Sequence, residues 1–86
     1  PDALVEFLKA KRWKDAQEWI FENSFLHPKQ LERSLYRALQ PHLADQSKPQ
    51  VVLLFGEYSH KINSGADPSI TLLALATEIM MGAEWK

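Results

Sequence analysis

The sequence contains no cysteine and only three glycines among its 86 residues. The first absence removes disulfides, thiol chemistry and cysteine-built zinc sites. The glycines fall in no phosphate-cradling pattern: neither GxxxxGKS/T nor GxGxxG occurs, so no nucleotide-binding loop is expected. An excess of one charge is missing too. Ten basic residues face eleven acidic ones, a net charge of −1, which gives no long-range attraction for a polyanion. No apolar run approaches the roughly 18–20 residues of a membrane span, so no membrane contact is expected, and no signal peptide is visible. The first residue is Pro1 rather than methionine. We therefore expect a segment of a longer protein, forming one domain over residues 1–86.

What is present is helical periodicity. The stretch from Gly56 to Ile70 organises the chain, because it joins two apolar segments, Val51–Phe55 and Thr71–Ala76. Gly65 supplies a positive-φ position after a helix, and Asp67-Pro68 reads as an N-cap followed by proline in the first turn. The run Val51–Phe55 is short and β-branched enough for a strand. Yet Ser47 and Pro49 mark a helix start, and Leu54, Tyr58 and Ile62 continue at i+4 steps. The expected fold is all-α, a five-helix bundle with helices at about 2–10, 12–24, 28–43, 48–63 and 68–81. Asp2 is expected to cap the first, Ser47 the fourth, and Pro41 to end or kink the third. Trp13 and Trp19 are expected in the core, and Trp85 in an exposed tail.

No constellation points to catalysis. His27, His42 and His60 share no helical face and have no cysteine or carboxylate cluster to complete a metal site. Ser59, His60 and Asp67 lack the glycine-framed elbow of a nucleophilic serine. Asp15, Glu18 and Glu22 recur at helical spacing, as an ordinary solvated face does. Lys9, Lys11, Arg12 and Lys14 form a basic patch around Trp13 and are the candidate DNA contact, although cations at a helix C-terminus beside a core tryptophan explain them better. The fourth and fifth helices are apolar over wide arcs, more than one small core is expected to bury. Phe55, Tyr58, Leu72, Leu75, Met80 and Trp85 are accordingly the candidate subunit interface.

Gly56-Glu57-Tyr58, then Gly65-Ala66, then Ile70-Thr71-Leu72 opening a leucine-rich helix resemble the C-terminal collar domain of AAA+ sliding-clamp loader small subunits, the replication factor C-like family. Trp13-Lys14-Asp15-Ala16 fits the start of that domain's second helix, and Glu84-Trp85-Lys86 resembles the ending seen in the T-even phage type. The resemblance covers nearly the whole chain and implies an oligomerisation role in DNA replication. Collars pack side by side into a ring that holds the loader together while its ATPase modules move. ATP and Mg would belong to modules outside this segment, as would contacts to the sliding clamp and primer–template DNA, so the segment itself is expected to be no enzyme. A phage-encoded protein would work in the bacterial cytoplasm. The alternatives are a small helical DNA-binding domain using the Lys9–Lys14 patch, and the tetramerisation domain of another AAA+ replication or repair protein.

Overall fold

A computed structural model describes residues 1–25 and 27–86; Leu26, in the connection between the second and third helices, lies outside the described residues. The helices are α1 (Asp2–Lys9), α2 (Trp13–Asn23), α3 (Pro28–Leu39), α4 (Lys48–Asn63) and α5 (Pro68–Gly82). Two short 3-10 turns, Gln40–His42 and Asp45–Ser47, fill the connection between α3 and α4. The all-α expectation therefore holds among the described residues. The third helix is shorter than expected, because Pro41 has no N–H to give an α-helical ladder and the chain tightens into the first 3-10 turn.

The helix ends follow local chemistry in part. Asp67 caps α5, its carboxylate accepting from the Ile70 N–H at 3.0 Å, with Pro68 in the first turn. Gly65, at φ +98°, closes α4. Its N–H donates to the Ile62 carbonyl at 3.1 Å and the Ala66 N–H to Lys61 at 3.1 Å, the double bond of a Schellman motif. Asp2, by contrast, lies inside the first turn of α1 behind Pro1 and makes no cap bond. Ser47 occupies the N-cap position of α4, but its hydroxyl does not bond that helix.

The end of α1 repeats the Schellman geometry without a glycine. Lys11 stands at φ 59°, with its N–H on Leu8 at 3.2 Å and the Arg12 N–H on Phe7 at 2.8 Å. A side chain in this left-handed region costs about 1 kcal/mol that glycine avoids. Lys11→Gly is therefore expected to stabilise the chain, by up to about 1 kcal/mol in urea unfolding; a loss of stability would contradict the strained turn.

Packing centres on α5, which touches α1, α2, α3 and α4. Helices α2 and α5 run antiparallel. The Trp13 Nε1–H at the start of α2 donates to Thr77 Oγ1 at 2.8 Å, and the Ser24 and Ser69 hydroxyls share a 2.7 Å bond at the other end. The core gathers Leu4, Val5 and Leu8 from α1, Ala16 and Ile20 from α2, Leu35 and Leu39 from α3, and Leu72, Leu75 and Ile79 from α5. Trp19 packs against it half-buried, whereas Trp13, 41% exposed, is a surface residue tied down by its indole N–H rather than a core residue.

Candidate interaction surface

Phe55, Tyr58, Leu72, Leu75 and Met80 all lie inside the core of this chain. That corrects the expectation that they face a neighbour. Four surrounding helices absorb the inner arc of α5, and α3 and α5 absorb the inner arc of α4. Trp85 does not hang in an exposed tail either. The tail pairs back on the α3–α4 connection through a single bridge between Leu43 and Trp85. The Ala44 N–H donates to the Glu84 carbonyl and the Lys86 N–H to the His42 carbonyl, both at 2.9 Å. Ser47 Oγ accepts from the Glu84 N–H at 2.8 Å, which is why it leaves the cap of α4 unfilled. The Trp85 ring is half-buried against the core.

What remains outside is a different set of apolar side chains. On α5, Ile70, Ala74, Thr77 and Met81 recur at i, i+4, i+7 and i+11, the spacing of one narrow helical stripe. Ile70 is 63% and Met81 77% exposed. Thr77, the one polar member, is already satisfied: it accepts from Trp13 and donates to the Leu73 carbonyl at 2.7 Å. Beside the stripe runs a shallow seam with α4, lined by Gln50, Leu54, Glu78, Met81 and Gly82. Glu78 there is held by Tyr58, whose phenol is pushed up to about 12, chiefly by its hydrogen bond to that carboxylate and then by burial. Beyond the seam lies Leu53, 74% exposed. Isolated exposed leucines are ordinary, and contiguous apolar surface is what a candidate interaction face requires.

The basic residues Lys9, Lys11, Arg12 and Lys14 are all exposed at the α1–α2 junction. They are brought together but not left equally free. Arg12 pairs with Asp15 at 2.7 Å and stacks over the Phe7 ring at 5.2 Å.

One polar residue of interest went unnoticed in the sequence. Glu32 on α3 is buried, 8% exposed, and its Oε2 has no hydrogen-bond partner. Burial pushes its carboxyl up from the usual carboxylate range, and the Ser59 hydroxyl pulls it partway back. The signal was present: Leu35 and Tyr36 lie at i+3 and i+4, which places Glu32 on the apolar side of its helix. It lines an open groove of about 300 Å³ between α3 and α4, with Arg33, Tyr36, Val52, Phe55, Gly56 and Ser59.

No helix among the described residues is long and apolar enough to cross a membrane. No family model matches the chain, and neither a curated protein nor a solved structure matches it.

Proposed function

We infer that this chain is an oligomerisation module that packs against neighbouring copies or homologous subunits, as the collar of a replication clamp loader does. The observation that carries the reading is the outer side of α5, where Ile70 and Met81 stand exposed on either side of the half-buried Ala74 and Thr77, although the helix has already filled the core with its other side. The order of the Gly56-Glu57-Tyr58 and Gly65-Ala66 segments and the leucine-rich last helix supports the clamp-loader assignment in particular. On that reading ATP and Mg are handled by AAA+ modules elsewhere in the parent protein, which also reach the sliding clamp and DNA in the cytoplasm. The collar contributes assembly alone. A ring built head to tail needs two different faces on each subunit, and the α5 stripe is one of them.

Sedimentation velocity across a concentration series tests this. The parent chain is expected to associate reversibly. The double variant Ile70→Glu and Met81→Glu is expected to stay monomeric, with unchanged helical circular dichroism, because both side chains stand in solvent. A parent chain that remains monomeric to its solubility limit removes the oligomerisation reading for the isolated domain. The second reading, DNA contact through Lys9, Lys11, Arg12 and Lys14, has their joint exposure in its favour. It predicts a salt-dependent shift of labelled primer–template DNA. The net charge and the engagement of Arg12 weigh against it.

A further inference from the structure

An unpaired buried carboxylate oxygen is costly, and native proteins leave few of them without a purpose. Glu32 is such a group: its unpaired oxygen is enclosed, while the residue itself forms part of the wall of an open groove, so a small turn of the side chain brings the carboxylate to the groove. The rest of the groove has a definite chemistry. Tyr36, half-buried, stands edge to face against the buried Phe55, with ring centroids 5.2 Å apart, and gives the groove its aromatic wall. Val52, 45% exposed, gives an apolar rim. Gly56 opens the α4 side: a Cβ placed there meets nothing within 4 Å. The chain's own packing therefore does not require this glycine, which costs its helix about 1 kcal/mol against alanine. It leaves the groove wide at the level where a partner's backbone would approach.

We propose that the α3–α4 groove receives an arginine side chain from a partner protein, with Glu32 as its counter-ion. A guanidinium fits this site better than an ammonium. Its planar fork matches a carboxylate, and its face stacks on aromatic rings. Arg33, on the rim, is the competing cation within the chain: its charge opposes the incoming guanidinium, so its removal favours binding. The groove lies on the flank of α4 away from the α5 seam, and the proposal stands independently of what the α5 stripe binds.

The test uses the 86-residue chain carrying Ile70→Glu and Met81→Glu, so that self-association plays no part. Amide chemical shifts are followed while butylguanidinium, butylammonium or the neutral isostere butylurea is added. Butylguanidinium is expected to give saturable shifts at the Gly56 and Ser59 amides, with butylammonium weaker and butylurea weakest. Glu32→Gln is expected to weaken guanidinium binding about tenfold or more, and Arg33→Ala to tighten it. Gly56→Leu, which fills the groove without touching Glu32, is expected to abolish binding while the chain stays folded. Equal shifts from butylguanidinium and butylurea, or binding that survives Glu32→Gln, overturn the proposal. Butylammonium binding as tightly as butylguanidinium overturns the choice of arginine.

Discussion

Leu75→Asp is expected to unfold the chain. Leu75 is completely buried in α5, which touches the other four helices. Its truncation to alanine alone should cost about 3–5 kcal/mol, from lost transfer energy and the cavity left behind. An aspartate adds the cost of an unpaired carboxylate at the same point. Domains of this size hold roughly 5–15 kcal/mol in total, so the charged variant has little or no margin. Far-UV circular dichroism and thermal melting decide the matter. A variant that kept its helical content and a cooperative melt, and lost only association, would return Leu75 to the interface where sequence reasoning had placed it. The contrast with Ile70→Glu is the informative part. The two positions are five residues apart on one helix, and the structure assigns them opposite fates.

The second large effect concerns the tail. Removing residues 84–86 is expected to cost about 3 kcal/mol, although it leaves every helix complete. Two backbone hydrogen bonds to the α3–α4 connection go with it, as do the bond to Ser47 and the 2.5 Å contact from Gln46 Nε2 to the Glu84 carboxylate. The half-buried Trp85 ring goes as well. For a domain of this length about 3 kcal/mol lowers the melting temperature by roughly 12–24 °C. A loss below about 1 kcal/mol in urea unfolding would mean that the tail decorates the bundle without holding it.

The parts of the fold legible in the sequence are those decided by neighbours in the chain. Gly65 had to take the positive φ that ends α4, and Asp67-Pro68 had to start α5, because each needs only local geometry. The start of α3 at Pro28 belongs to the same class. The orientation of α5 does not. Ile70, Leu72, Leu73, Leu75, Ile79, Met80 and Met81 leave the helix apolar all round, so periodicity gave no inside, and the contacts of the other four helices chose one. The tail escaped notice because its pairing joins positions 43 and 85 through a single bridge, which no repeat announces. Lys11 escaped because a left-handed lysine carries no residue-type signature. Glu32 escaped because its charge suggested solvent, while its place in the Leu35–Tyr36 stripe argued for the interior. The residues expected to face a partner thus lie on the inner sides of α4 and α5, because the other helices and not the periodicity chose which side turned inward.

The position of α5 has a kinetic consequence. It is the last of the five helices in sequence, yet α1, α2 and α3 all rest on it. Without it, Leu4, Leu8 and Ile20 have lost a wall of their shared core. The first three helices are then an unfinished shell, open to proteases and chaperones until α5 docks. Ordinary helical bundles gather contacts between successive elements and fold quickly. Here the contacts between α1 and α5 span most of the chain and demand closure of a long loop before any reward. Folding speed should follow that late docking step rather than helix formation, and substitutions in the α1–α5 contact should slow folding where those in the α4–α5 turn do not.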